Sequence, residues 1–317
     1  MSREIDVLLI GEALVLFSGI EENQLRQTTT FEKSIAGAEL NVAIGLSRLG
    51  HHVNYLTKLS TDEFSQYILN RLEKENIPTH HLTTSTDGDI GIMFKNKVTN
   101  GDPNTLYHRS NSLASQINKD DLKHISLEQV KILHVTGVFP VLSPSTRETT
   151  FYLLEKAKQA GCLISFDPNI RPTMWSDKIE MITVLNKIAS YADIILPGIS
   201  EGELLTGLSK VSEIADFYLK TGAKLVVIKQ GETGAYVKSS LTESGEFFPG
   251  IPVDQVIDTV GAGDGFAVGI LDGVLTNKTL SHCIQQANTI GALQVQHKSD
   301  NENLPTADEL KQLLKTF

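Results

Sequence analysis

The stretch DTVGAGDGF, residues 258 to 266, sets carboxylates beside two closely spaced glycines just where a long apolar, helix-spaced run begins. A turn needs one glycine; two of them, one residue apart, leave main chain bare enough for a ligand to approach. A helix starting there would present unpartnered N–H groups and partial positive charge, which together make an anion site. Gly261, Ala262 and Gly263 would offer those N–H groups to a phosphate or a developing oxyanion. Asp264 would then be close enough to take a proton from an attacking hydroxyl. This suits phosphoryl transfer, in which the protein chiefly positions groups and stabilises moving charge. A plainer reading of the same residues is a helix N-terminus with glycines for close packing and an Asp favoured by the helix dipole. Two other phosphate motifs do not fit. The third glycine of the dinucleotide fingerprint would fall on Phe266, and no Lys-Ser/Thr pair follows as a Walker loop requires.

A site of this kind needs strands that end beside it. DVLLIGEAL (6 to 14) reads as a buried parallel strand, and AELNVAIGLSRLG (38 to 50) has helical spacing. VNYLTKLS reads as a strand and DEFSQYILNRLEKENI as a helix ending in a solvated charged run, RLEKEN. From KILHVTGVF onward the pattern alternates strand and helix: RETTFYLLEKAKQAG, CLISFDPN, KIEMITVLNKIASYAD, IILPG and KLVVIKQG. That rhythm predicts βαβ units with a mainly parallel sheet covered by helices. After GEFFPGIPV come helices at about 263 to 276 and 281 to 297, then a terminal helix, TADELKQLLKTF. Two β-rich stretches, about 12 to 35 and 87 to 112, break the rhythm. They predict either a flap over a cleft or an edge extension of the main sheet.

The 317 residues suffice for one α/β domain, 1 to 317, with a small appendage. A net charge of −10 argues against nucleic-acid and membrane-surface partners, and an anionic substrate would need its own local Arg or Lys. Cys162 and Cys283 sit in apolar patterns with no metal spacing, which predicts a reducing, cytoplasmic setting. The N-terminal apolar run is too short for a signal h-region, and no stretch approaches a membrane span. His51-His52 and His80-His81 lack accompanying acids or cysteines, so they are not read as metal ligands.

DTVGAGDGF closely resembles the C-terminal signature of the ribokinase-like (PfkB) family of carbohydrate kinases. AGAELNVAIGLSRLG (36 to 50) resembles that family's upstream signature, and GETGAY (231 to 236) and QANTIGAL (286 to 293) follow in the family's order. The resemblance spans essentially the whole chain. It implies a ribokinase-like three-layer α/β/α fold with a mainly parallel central sheet and a small β-sheet lid. Asp264 would be the general base, and the N–H groups of residues 261 to 264 the anion hole. Gly37 and Asn41 would lie against the sugar. Gly231 and Gly234 would let ATP approach the strand end, and Asn288 would sit near the adenine. Lys229, just before that turn, could meet a phosphate or simply be a solvated strand-end lysine. Glu201 would organise Mg²⁺ through water. The family often has Asn where this chain has Gly198, which leaves Glu201 without that neighbour. Asp258 lies in a region resembling one where relatives bind a monovalent cation such as K⁺. A homo-oligomer paired through the lid sheets is implied as well.

DPNIRPTMW (167 to 175) is similar to the DPNxR stretch of fructokinases and 2-keto-3-deoxygluconate kinases. LYHRSNSLASQI (106 to 117) is similar to a stretch of the latter. The resemblance implies an ATP-dependent kinase for 2-keto-3-deoxygluconate, on which Tyr107, Arg109 and Arg171 would converge. A guanidinium grips a carboxylate with two charge-assisted hydrogen bonds, so an acidic sugar gives these arginines a purpose. The competing expectations are a kinase for a neutral ketohexose such as fructose and a non-catalytic sugar or nucleotide sensor. For Arg109 a surface arginine in a loop is the plainer reading, for Tyr107 a residue of the lid core. Trp175 is expected to pack the loop after DPNIR.

Overall fold

The computed structural model describes residues 3–98 and 103–315. Residues 99–102, which include the first three residues of the expected NGDPN turn, and the last two residues of the expected terminal helix lie outside that range. In chain order the strands are β1 (Ile5–Ile10), β2 (Leu14–Gly19), β3 (Phe31–Ala36), β4 (Val53–Leu56), β5 (Lys58–Leu59), β6 (Thr83–Thr84) and β7 (Gly91–Lys95). They continue as β8 (Thr105–His108), β9 (Val130–Thr136), β10 (Leu163–Asp167), β11 (Ile194–Ile195), β12 (Leu225–Lys229), β13 (Gly234–Ser239) and β14 (Glu246–Pro249). The helices are α1 (Ala38–Arg48), α2 (Glu63–Lys74), α3 (Pro144–Gln159), α4 (Lys178–Ala189), α5 (Ile199–Thr206), α6 (Val211–Lys220), α7 (Ala262–Leu275), α8 (Leu280–Gln294) and α9 (Ala307–Leu313).

The main sheet runs β14-β13-β12-β11-β10-β9-β1-β4, parallel from β12 to β4 and antiparallel at its β13–β14 edge. Its near-continuous apolar strands follow from burial on both faces. Successive side chains point to opposite sides: Val7 and Leu9 enter one apolar core with α1, α7 and α8, whereas Leu8 and Ile10 enter the other with α3, α4 and α6. The result is three layers.

A second, separate sheet runs β3-β2-β7-β8, with β2 and β7 parallel and the outer pairs antiparallel. It is not an edge extension of the main layer. The run 6 to 14, expected as one strand, is therefore two. β1 ends at Ile10 in the main sheet and β2 starts at Leu14 in the small one, because one straight strand cannot serve two sheets. VNYLTKLS divides for the same reason into β4 of the main sheet and β5, which pairs with β6. Helices α5 and α6 went unanticipated, although α6 is apolar on one face through Ile214, Ala215 and Tyr218. The charged run 71 to 76 is not wholly solvated: Glu75 is buried and receives both Arg48 and Arg71. Trp175 packs beside the second core with Arg147 over its ring, as expected of a loop anchor.

Candidate active site

Parallel strands of a doubly wound sheet deliver their carboxyl ends to one edge, where ligands bind. Here β1 leads to Glu12, β10 ends at Asp167 and β12 ends at Lys229. Across from that edge, α7 begins with Gly261 as its N-cap, at φ 81°. A side chain there would be strained by the left-handed backbone, and its Cβ would lie 2.5 Å from the Asp300 carbonyl oxygen. The glycine therefore lets the segment at 300 back directly onto the start of α7. Between the edge, this helix end and the small sheet lies a cleft of about 510 Å³.

Asp264, in the first turn of α7, is 7% exposed. Its two oxygens are held separately: Asn41 Nδ2 donates to Oδ2 at 2.8 Å, and Asn169 Nδ2 donates to Oδ1 at 3.0 Å. Asn41 is oriented in turn by Asn301, whose Nδ2 donates to its Oδ1 at 2.9 Å. Burial pushes the Asp264 carboxyl up to about 7. The Asn41 hydrogen bond and the charges of Arg171 and Lys229 pull the other way, and the Asp167 charge adds to the rise. A carboxylate poised near neutrality beside bare helix N–H groups can accept a proton where negative charge is being stabilised.

The cleft brings together most of the expected site residues: Gly37, Asn41, Tyr107, Arg109, Arg171, Lys229, Glu201, Gly261, Gly263 and Asp264 all line it. Ala262 opens α7 between the two glycines. Gly37 caps α1 where that helix passes the Glu12 backbone. Lys229 is not a solvated strand-end lysine. Its Nζ lies 2.6 Å from Asp167 Oδ2 and, with a side chain 16% exposed, is held protonated by Asp167 and Glu201 against the pull of burial. It also comes within 3.5 Å of where a Cβ on Gly263 would stand, which puts a cation against the N-terminus of α7.

Glu201 sits in the first turn of α5. The missing Asn at position 198 does not leave it without a neighbour. Gly198 N–H donates to Oε2 at 2.7 Å and Ile170 N–H to Oε1 at 2.6 Å. Burial and the nearby Asp167 charge raise its carboxyl above the usual range. Among the described residues no three acidic, His or Cys side chains converge as a metal cage. The oxygen donors Glu201 and Asp167 do fit a hard cation that keeps its waters and leans on phosphate oxygens.

Arg109 is less free than a clamp would be. Its guanidinium pairs with buried Glu12, which also accepts from Ser112 Oγ. Its Nε–H is buried without a hydrogen-bond partner among the described residues. Tyr107 is exposed rather than part of a small-sheet core, with the Arg109 guanidinium 5.5 Å from its ring centroid. Arg171 is exposed at the mouth of the cleft and, among the described residues, pairs with no carboxylate. Gly231, Gly234 and Asn288 do not line the cleft. Gly234 allows the close pass of β14, whose Phe248 oxygen would lie 2.0 Å from a Cβ there, and Asn288 donates to the Pro249 oxygen at 2.9 Å. Gly231 is open, two residues beyond Lys229.

Residues 4–307 match the family described as pfkB family carbohydrate kinase. The chain belongs to that family. The PfkB chain is 42% identical over 312 residues to a 2-dehydro-3-deoxygluconokinase of Bacillus subtilis, covering 98% of this chain and 96% of that one. A PfkB protein from Polaromonas sp. JS666 is 37% identical, with a TM-score of 0.88 over 97% of this chain and 99% of its own. A putative ribokinase II from E. coli, crystallised with ATP and Mg²⁺, superposes at a TM-score of 0.91 over 99% of this chain and all of its own, with 23% identity. The PfkB fold, a mostly parallel sheet with a small separate one, is thus the expected ribokinase-like architecture, and the chain is a sugar kinase homologue.

Sequence reasoning had assigned no role to Asp167 and Asn169, although both stand in DPNIR. Asn169 has φ 41°, a conformation Asn tolerates better than most residues, so an Asn after Pro was the available signal. Glu12, Glu39 and Asn301 carried none. Glu39 is buried in the cleft wall, bonded to Thr136 Oγ1 at 2.5 Å and pushed up to about 7 by burial.

Proposed function

We propose that the protein transfers the γ-phosphoryl group of ATP to the terminal primary hydroxyl of 2-keto-3-deoxy-D-gluconate, giving the 6-phospho sugar acid. The observation that carries this reading is Asp264: a buried carboxylate gripped by two amides, raised towards neutrality, at the glycine-rich start of α7. Asp264 takes the hydroxyl proton as the new O–P bond forms and the bond from the γ-phosphorus to the β–γ bridging oxygen breaks, so that ADP leaves. The first-turn N–H groups of residues 261 to 264, which a helix leaves without internal partners, receive the charge of the migrating phosphoryl. Lys229, against the start of α7, adds fixed positive charge beside it. Glu201 and Asp167 would hold Mg²⁺ with its waters, and the metal would neutralise phosphate charge. Gly231, Gly234 and Asn288 would border the nucleotide beyond Lys229. Gly37 and Asn41 face the sugar.

The substrate class rests on the relative named 2-dehydro-3-deoxygluconokinase and on the arginines. Arg171 would take the sugar carboxylate, with the unpaired Nε–H of Arg109 and the Tyr107 hydroxyl as further donors. The small sheet, lining the cleft through Leu14, Ala36, Met93 and Tyr107, would act as the lid that excludes water. Pairing of two copies through that sheet, where Leu106 is 49% exposed, fits a homo-oligomer in the cytoplasm. A neutral ketohexose is the second reading, favoured by one observation: Glu12 offsets the charge of Arg109 and leaves a balanced pair suited to hydroxyls.

A coupled ADP-release screen with ATP–Mg²⁺ across keto-deoxy sugar acids and neutral hexoses tests the proposal. Turnover on 2-keto-3-deoxygluconate well above that on fructose is expected. The reverse order favours the second reading, and no ADP release with any sugar overturns both.

A further inference from the structure

Lys95 ends β7 of the small sheet, yet its ammonium lies inside the protein. Nζ is 2.7 Å from Asp258 Oδ2, 3.0 Å from Asp300 Oδ1 and 3.1 Å from the Lys298 carbonyl oxygen. The three side chains are almost closed to water, at 3% for Lys95, 8% for Asp258 and 5% for Asp300. Burial pushes such a lysine towards losing its proton; the charges of Asp300 and Asp258 outweigh it and hold the group protonated. A buried cation is costly, so this one is retained in spite of desolvation and must be paired.

What it pairs with bears on the site. The other oxygen of Asp258, Oδ1, accepts the Val260 N–H at 3.0 Å, one residue before Gly261. The backbone of Asp300 is the wall against which Gly261 packs. Asn301, next in sequence, orients Asn41, which holds Asp264. Both the strap entering the glycine turn and the segment backing it therefore converge on one ammonium from the small sheet.

We propose that Lys95 is a built-in cation: its ammonium takes the place of a bound monovalent metal ion in holding residues 258–263, so the anion hole is set without K⁺. This rests on the kinase reading. An ammonium and a potassium ion are alike in charge and in the oxygen distances they accept, so one side chain can do the work of the ion. The arrangement also ties the anion hole to β7, making Lys95 a positioning residue that reports the placement of the small sheet.

The test measures ADP release and melting temperature in KCl and in tetramethylammonium chloride at equal ionic strength. Wild-type turnover and melting temperature should be the same in both salts. Lys95→Ala, which leaves a space between two buried carboxylates, should lose about 10²-fold in kcat in tetramethylammonium, the scale of a misplaced reacting group. It should recover at least about 10-fold of that with K⁺ or NH₄⁺, and its melting temperature should rise with the same ions. Lys95→Met fills the space and should recover with neither. Strong K⁺ stimulation of the wild type, or a Lys95→Ala variant fully active in tetramethylammonium, overturns the proposal. If no sugar releases ADP, the kinase reading fails on that ground. The melting temperatures then decide the built-in cation alone: equal wild-type values with ion-specific recovery of Lys95→Ala support it, and any other pattern contradicts it.

Discussion

Asn41 Nδ2 lies 2.8 Å from Asp264 Oδ2, so the first helix of the chain holds a carboxylate 223 residues later. This bond favours the ionised form of Asp264, whereas the burial it occurs in favours the protonated form. The balance, at about 7, decides when the proposed base can work.

The first prediction follows from that balance. Asp264 accepts a proton only when ionised, so kcat/KM should climb with pH through about 7 and level off above it. Asn41→Leu removes a donor to the carboxylate and should move this limb to higher pH. A profile flat between about pH 5.5 and 8.5 in the wild type contradicts the assignment.

Arg171 carries the second. It is the exposed cation at the cleft mouth with no carboxylate partner among the described residues, so a substrate carboxylate would meet its full charge. Arg171→Ala should lower kcat/KM on the sugar acid by roughly 10–100-fold, the worth of a hydrogen bond to a charged group. Loss on a neutral hexose should be much smaller. Equal losses on both would assign Arg171 to the phosphate side instead.

Arg109 behaves differently because it also neutralises Glu12. Arg109→Ala leaves that buried carboxylate alone and should destabilise the fold by about 3 kcal/mol in urea unfolding at neutral pH. Adding Glu12→Gln should return much of the loss. If Arg109→Ala unfolds at the wild-type midpoint, the pair contributes little to the fold.

How far the sequence speaks for itself is clearest at these same residues. The glycine turn, its acid and the parallel strand rhythm are local patterns, written in spacing, and they lead to the correct fold and to Asp264. Arg109 was legible as a candidate cation, and it lines the cleft; its pairing with Glu12 was not legible, since the partner lies at a break between sheets that periodicity reads as continuous strand. Lys229 and Lys95 look alike on paper as lysines ending strands. Each becomes a buried cation only through acids far away in the chain, 62 residues for Asp167 and 163 for Asp258. Long-range charge pairing leaves no periodic trace, and such pairs were the main omission.

A fourth prediction concerns the backbone. Gly261→Ala meets both a left-handed φ and the Asp300 carbonyl, so it should cost more than about 1 kcal/mol of stability and displace the helix start. Activity should fall further than stability does. A variant with wild-type kcat would mean that the anion hole tolerates the shift.

The most direct test of the whole account is Asp264→Asn, measured for turnover and for ATP affinity in parallel. The substitution keeps size while removing the proton acceptor, so kcat should fall by roughly 10²–10⁴-fold with nucleotide binding intact. A variant that binds ATP and turns over sugar at the wild-type rate would contradict the claim that this carboxylate is the base.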